Sequence, residues 1–231
     1  MRCDEAIILV GGLGTRLRPL VSDVPKPLAP VGGRPFLAWV LDAIEASGIR
    51  RVILATGHLS EKVEEAIGRR WLRMTVDYSV ETSPLGTGGA MMQASSLLHQ
   101  GSAHVLNGDT FLQYDPFALE RATRDAGCLL GIALARVDDT SRYGGIAREG
   151  ARVTALQEKT GSGPGFINAG AYFLTPEAIA ALPREAPYSF ETAVLTPMAS
   201  RGAVCGFGAT DGFIDIGVPE DFRRAQSLFR P

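Results

Sequence analysis

Ala6-Ile-Ile-Leu-Val10 runs without a break into Gly11-Gly-Leu-Gly-Thr-Arg-Leu17. A short apolar run rich in β-branched residues has the length and composition of a strand buried on both faces. The glycines that follow allow positive φ angles and let backbone N–H groups approach a ligand with no Cβ in the way. Phosphate oxygens are the natural target of such a loop. Arg16 sets a planar guanidinium beside it, suited to bidentate phosphate contact.

Outward from this stretch, apolar runs alternate with amphipathic segments. Strands are expected at Ala6–Val10, Arg51–Thr56, Met74–Val80 and Ala103–Asn107, and helices at Phe36–Ser47, Ser60–Arg70 and Thr87–Leu98. In the first helix Leu37, Val40, Leu41 and Ile44 share one face, and Gly48 stands where a left-handed C-cap belongs. This alternation predicts an α/β, Rossmann-like fold with a mostly parallel central sheet and helices on both faces. From Cys128 onward strands dominate: Cys128–Val137, Gly145–Arg148, Val153–Glu158, Phe166–Leu174, Val204–Phe207 and Phe213–Ile216, with a final helix at Glu220–Phe229. A strand-rich half grafted onto the same sheet is expected. The chain therefore reads as a single domain over 1–231, with a first part at 1–127 and a strand-rich second part at 128–231.

The 231 residues are 45% hydrophobic and 21% charged with a net charge of -2, enough to bury a full core. No block of like charge points to nucleic acid or an anionic membrane, and no apolar run reaches transmembrane length. A soluble, cytoplasmic protein with small-molecule partners is expected, as a monomer or small homo-oligomer. Cys3, Cys128 and Cys205 are widely spaced and form no pattern with the histidines, so neither a disulfide framework nor a zinc site is indicated.

The loop has competing readings. Gly12-Leu-Gly14 begins a dinucleotide GxGxxG, but Leu17 holds the third glycine position, and Thr56-Gly57 follows the second strand where an acid should bind ribose. No GK[ST] closes a P-loop. Val24-Pro-Lys-Pro-Leu28 then places one lysine, Lys26, between two prolines, which set its ammonium at small entropic cost. Such a lysine suits a phosphate clamp.

Together, the loop Gly11–Leu17 and Pro25-Lys-Pro27 resemble the signature of the sugar-phosphate nucleotidyltransferases, the family that includes glucose-1-phosphate thymidylyltransferase and mannose-1-phosphate guanylyltransferase. The resemblance implies that a sugar 1-phosphate attacks the α-phosphorus of a nucleoside triphosphate and releases pyrophosphate, with Mg2+ as cofactor. It also implies that Leu9, Gly11, Gly12, Gly14, Thr15, Arg16 and Lys26 handle the nucleotide.

Two aspartates carry the metal expectation. Asp109 in Leu106-Asn-Gly-Asp-Thr110 and Asp215 in Phe213-Ile-Asp-Ile-Gly217 each follow an apolar strand, at the edge where open α/β sheets bind ligands. Either alone is an ordinary turn aspartate; together they can hold one hard cation through oxygen, leaving positions for water and phosphate. The family pattern assigns both to the metal, adds Asn107 and Gly108 to the nucleotide site, and makes Arg16, Lys26, Asp109 and Asp215 the catalytic set. Because the attacking oxygen belongs to the substrate, that set works by positioning and charge neutralisation.

For the sugar phosphate, Gln157-Glu-Lys159 is similar to the family's Glu-Lys-Pro element, with Thr160 in place of proline. Glu158 would accept from sugar hydroxyls and Lys159 would hold the phosphate. Asn168-Ala-Gly170 resembles the sugar-contacting strand, and Tyr143 and Gly144 resemble a loop that approaches the sugar. For the base, Glu81, Pro84, Gly86 and Thr87 lie where the family holds it. A carboxylate only accepts, and guanine offers two adjacent donors, so Glu81 favours GTP over uracil or thymine nucleotides.

The runs Pro84–Gly89, Leu106–Thr110 and Phe213–Phe222 are most similar to the branch of the family that guanylylates a D-glycero-α-D-manno-heptose 1-phosphate. Mannose-1-phosphate guanylyl transfer and N-acetylmuramate-1-phosphate uridylyl transfer are the alternatives in the same chemistry. From a different class, a regulatory subunit that kept the fold would be expected to have lost the charged set, which is intact. With the sequence running only a short way past the final helix, the hexapeptide-repeat acyltransferase of longer relatives is not expected.

Overall fold

Along the first strand Ala6, Ile8 and Val10 pack into one apolar cluster, while Ile7 packs into another on the opposite face. This period-2 alternation is that of a strand covered on both sides. The computed structural model describes residues 2–12, 24–157 and 161–230. Gly14, Thr15, Arg16, Glu158 and Lys159 lie outside the described residues.

In chain order the first part comprises β1 (Glu5–Leu9), β2 (Pro30–Val31), β3 (Arg34–Pro35), α1 (Phe36–Ser47), β4 (Arg51–Thr56), α2 (Ser60–Ile67), β5 (Arg70–Trp71), β6 (Met74–Val80), α3 (Gly86–Ser95), β7 (Ala103–Asn107), β8 (Thr110–Gln113) and α4 (Pro116–Asp125). The second comprises β9 (Leu130–Val137), β10 (Ile146–Glu149), β11 (Arg152–Leu156), β12 (Gly165–Leu174), α5 (Pro176–Ala180), α6 (Thr196–Ser200), β13 (Val204–Phe207), β14 (Asp211–Asp215) and α7 (Pro219–Leu228). One ten-stranded sheet takes the order β10-β11-β13-β9-β12-β7-β1-β4-β6-β5. Within it β10, β13, β9, β7, β1, β4 and β6 run one way and β11, β12 and β5 the other, so the sheet is mostly parallel. Strands from both halves of the chain share this sheet.

Helix α1 coincides with its expected span, and Gly48 caps it in the left-handed region at φ 111°. Its Leu37, Val40, Leu41 and Ile44 are buried with Ile8 under one face of the sheet. Met91 and Ala94 of α3 cover the other face with Ile7, Tyr172 and Phe190. Full burial of each large aliphatic side chain stabilises the fold by about 1.5–3 kcal/mol.

Three departures from expectation stand out, the first two with local causes. Helix α2 stops at Ile67 because Gly68 leaves helical space (φ 73°, ψ -167°), and Arg70–Trp71 then pairs with β6 as a strand. Helix α4 is additional; Asp115 caps it by accepting from Phe117 N at 2.9 Å and Pro116 opens it, a start signal visible in the sequence. The third is β14, which leaves the main sheet and pairs only with β8 in a two-stranded ribbon. The cysteines Cys3, Cys128 and Cys205 are free thiols, all buried. Among the described residues no helix is long and apolar enough to cross a membrane.

Buried His104 on β7 packs between Phe117 and Phe173, with Nε2 3.2 Å from the Cys3 carbonyl and 3.9 Å from Glu120 Oε2. Burial lowers its pKa to about 4, opposed by the Cys3 carbonyl and Asp115 and reinforced by Arg124 and Arg2. The unfolded chain therefore binds the extra proton from about pH 6.5 downward while the folded chain does not until about pH 4. This stabilisation is complete above the unfolded pKa and is lost as pH falls through that window, by about 3 kcal/mol. His104→Gln should remove this component, so the stability difference between wild type and variant shrinks by that amount from pH 7 to pH 4 in urea titrations. A pH-independent difference would refute a neutral buried imidazole.

Candidate active site

The β8–β14 ribbon builds the charged centre of the site. Gly108 turns the chain after β7, its N–H donating to Leu9 O at 2.9 Å, and a Cβ there would lie 2.9 Å from the same carbonyl. Thr110 then pairs with Asp215 and Phe111 with Ile214, while Ile216 N donates to Asp109 O at 3.0 Å. These bonds bring Asp109 and Asp215 together from opposite halves of the chain. Lys26 opens the short 3-10 turn Lys26–Leu28, held by Leu28 N to Pro25 O at 2.8 Å. Its Nζ lies 2.5 Å from Asp109 Oδ2 and 3.7 Å from Asp215 Oδ1.

Gly217 is required for that approach. A Cβ on it would lie 2.8 Å from Asp215 Oδ1 and 2.9 Å from Lys26 Nζ, and its N–H donates to Asp215 Oδ1 at 2.7 Å. Burial raises the Asp215 pKa, the neighbouring Asp109 charge adds to the rise, and Lys26 partly offsets it. The ammonium thus neutralises two carboxylates that repel each other. Sequence reasoning aimed Lys26 at phosphate; the structure sets it on the aspartate pair.

Beside this cluster, the ends of β1, β4 and β6 enclose a cavity of about 560 Å³. Leu9, Gly11, Gly12, Glu81, Pro84, Gly86 and Thr87, all expected at the nucleotide, line it. Val10 N and Gly11 N both donate to Ala55 O, and Gly12 sits at φ 144°, where among the described residues no atom lies within 4 Å of a Cβ built on it. Glu81 Oε2 accepts from Leu85 N at 2.9 Å, and its Oε1 would lie 3.0 Å from a Cβ on Gly11. One carboxylate oxygen therefore shapes the loop while the other faces the glycines. Gly57 and His58 after β4 also line the cavity and were missed; the rule that ligands bind beyond the carboxyl ends of parallel strands could have found them.

Asn107 and Gly108 are not among the residues lining this cavity. The Asn107 amide instead packs on Gly170, where a Cβ would lie 2.7 Å from Asn107 Nδ2 and φ is 69°. Asn168 Oδ1 accepts from Gly170 N at 2.9 Å, and its Nδ2 donates to Tyr172 OH at 2.8 Å, so it spans the irregularity in β12. The clearance at Gly170 thus serves a neighbouring amide. A polar recess of about 510 Å³ lies elsewhere on the second half, lined by Tyr143 together with Arg136, Arg142, Asp211, Asp221 and Arg224. Arg142 is ion-paired with Asp221, and Tyr143 packs edge-on against Phe213 at 5.5 Å. Gly144 closes the loop at φ 83°, its N–H donating to Thr140 O at 2.9 Å. The structure therefore places Tyr143 in a recess whose lining does not include Asn168 or Gly170.

Among the described residues no three His, Cys, Asp or Glu side chains form a metal cluster. The pair Asp109 and Asp215 nevertheless fits a hard divalent cation, because its donors are carboxylate oxygens and it already shares one positive charge, the Lys26 ammonium.

Comparison with known proteins accords with this geometry. The family described as Nucleotidyl transferase matches residues 5–230. The D-glycero-alpha-D-manno-heptose 1-phosphate guanylyltransferase of Aneurinibacillus thermoaerophilus is 37% identical over 222 residues, covering 96% of both chains. The Campylobacter jejuni protein of the same name is 38% identical over 220 residues, 94% of this chain and 96% of that one. Among solved structures, HddC from Yersinia pseudotuberculosis complexed with GMP-PN superposes with a TM-score of 0.87 at 33% identity, covering 100% of both chains. With a strand-to-glycine loop leading into a nucleotide-sized cavity, and relatives that align from end to end, the chain belongs to the nucleotidyl transferase family.

Proposed function

We propose that the protein transfers a guanylyl group from GTP to D-glycero-α-D-manno-heptose 1-phosphate, giving a GDP-sugar and pyrophosphate. The observation that carries metal-assisted nucleotidyl transfer is the Lys26–Asp109–Asp215 cluster beside the cavity at the carboxyl ends of β1, β4 and β6. Full-length likeness to the heptose 1-phosphate guanylyltransferases and to the GMP-PN complex supports the choice of heptose and guanine.

Asp109 and Asp215 would hold Mg2+, which when bound neutralises triphosphate oxygens and fixes the α-phosphate for in-line attack. The residues then divide the remaining work. Gly11 and Gly12 give the phosphates backbone clearance, and Arg16, with Gly14 and Thr15 beside it, bears on the triphosphate. Lys26, carried on its turn, has a second anionic partner once the triphosphate arrives and neutralises charge there. On the family pattern Glu158, Lys159, Tyr143, Gly144, Asn168 and Gly170 serve the sugar phosphate, Asn168 and Gly170 through the backbone shape of β12 that their own bonds set. No side chain is needed as a nucleophile, because the sugar phosphate oxygen forms the new P–O bond as the bond to pyrophosphate breaks. The division into 1–127 for nucleotide and 128–231 for sugar phosphate is crossed at the cluster itself, since Asp215 belongs to the second part and Asp109 to the first.

Pyrophosphate release with Mg2+, each common nucleoside triphosphate and a panel of sugar 1-phosphates that includes mannose 1-phosphate and N-acetylmuramate 1-phosphate tests the reading. Release is expected with GTP and the heptose; silence with every pair would end it. Glu81→Gln keeps an acceptor for Leu85 N but presents the base with an amide. Its kcat/KM should fall by about tenfold with GTP and by less with UTP or TTP, whereas an equal fall across bases would show that Glu81 does not read guanine.

A further inference from the structure

The glycine run Gly86-Thr-Gly-Gly89 forms the first turn of α3, beside the position expected for the base. Protein atoms fill much of the room that side chains on it would take. A Cβ on Gly86 would lie 2.4 Å from Tyr188 O, one on Gly88 2.1 Å from Tyr188 Cε2, and one on Gly89 2.9 Å from Ala186 Cβ. The segment from Ala186 to Glu191 therefore lies directly on the first turn of α3.

Its bonds are reciprocal. Tyr188 N donates to Leu85 O at 3.0 Å and Gly88 N donates to Tyr188 O at 3.1 Å. The Thr87 hydroxyl accepts from Phe190 N at 2.9 Å and donates to Glu191 Oε2 at 3.0 Å. Ser189 Oγ donates to the same carboxylate oxygen at 2.9 Å. Phe190, 1% exposed, anchors the segment in the core by packing edge-on against Tyr172 at 5.1 Å. The other face of the same loop lines the large cavity through Pro84, Gly86 and Thr87.

We propose that this segment of the sugar-side half is a strap that positions the nucleotide-binding loop, with Tyr188 as its principal positioning residue. The proposal rests on the reading of the cavity as the nucleotide site. The strap removes the freedom that several glycines in one turn would otherwise have, so the loop need not be ordered anew when nucleotide binds. It also explains why the run is glycine-rich: side chains there would meet the strap before any ligand.

Tyr188 supplies its own control. Its hydroxyl is buried without a hydrogen-bond partner among the described residues, so Tyr188→Phe keeps the ring and should retain wild-type behaviour. Tyr188→Ala removes the ring and should speed amide hydrogen exchange over residues 85–89 by about tenfold. The KM for nucleoside triphosphate should rise by about tenfold while kcat and the KM for sugar phosphate change by less than about twofold. Gly88→Ala should raise the same KM in the wild-type background and much less in the Tyr188→Ala background, where the atom it meets is gone.

Unchanged exchange in Tyr188→Ala overturns the strap, and so does faster exchange with an unchanged nucleotide KM. An equal Gly88→Ala penalty in both backgrounds also overturns it, as does a parallel loss of every kinetic parameter in Tyr188→Ala. If the wild type releases no pyrophosphate with any substrate pair, the functional reading fails, and the exchange measurement still decides whether the strap restrains the loop.

Discussion

Asp109→Asn and Asp215→Asn should each lower pyrophosphate release by about a thousandfold while leaving the unfolding midpoint within a degree or two of wild type. The two side chains reach one point in space through the β8–β14 ribbon and offer charged oxygens to a single cation. Asn preserves size and hydrogen bonding but halves the negative charge of the pair, and a hard divalent ion depends on that charge. Both side chains are about a third exposed, so little packing is lost. Circular dichroism on the same samples separates a lost site from a lost fold. Near-normal turnover in either variant would remove the metal assignment.

Lys26→Met should lower kcat/KM by about a hundredfold and, in the absence of nucleotide, strengthen Mn2+ binding measured by electron paramagnetic resonance. The second effect follows from geometry. Its ammonium now occupies the approach to both carboxylates, at 2.5 and 3.7 Å, and any cation that uses both must compete with it. A lysine that served only the phosphates would give the rate loss with unchanged ion affinity, and that pattern would contradict the competition. Without metal the variant leaves two carboxylates facing each other, so Mg2+ should stabilise it against unfolding more than it stabilises wild type.

Much of the first half of the chain was legible because its signals are local. The spans of α1, β4, β6 and β7 coincide with those read from apolar periodicity, as does that of β13 in the second half, and Gly48 caps its helix as expected. The cavity-lining residues Leu9, Gly11, Gly12, Glu81, Pro84, Gly86 and Thr87 lie at the end of β1 or between β6 and the start of α3, at the sheet edge where such sites form. The second half was less legible. Asn168 and Gly170 have the residue types of a hydroxyl-reading strand, yet their bonds shape an irregular strand and accommodate Asn107. A polar residue in an apolar run announces that it needs a partner, without saying whether that partner is ligand or protein.

By itself, then, the sequence determined the main strands of the sheet and the helix α1, the glycine loop after β1 and the identity of the charged groups, because each is encoded within a few neighbouring residues. Only the tertiary structure decided that β14 leaves the sheet to pair with β8, that Lys26 lies between Asp109 and Asp215, and that the glycines of α3 admit Tyr188. These contacts join segments far apart in the chain, where neither a helical nor a strand period carries information. They are chosen by which distant surfaces can be buried and which charges paired at the same time.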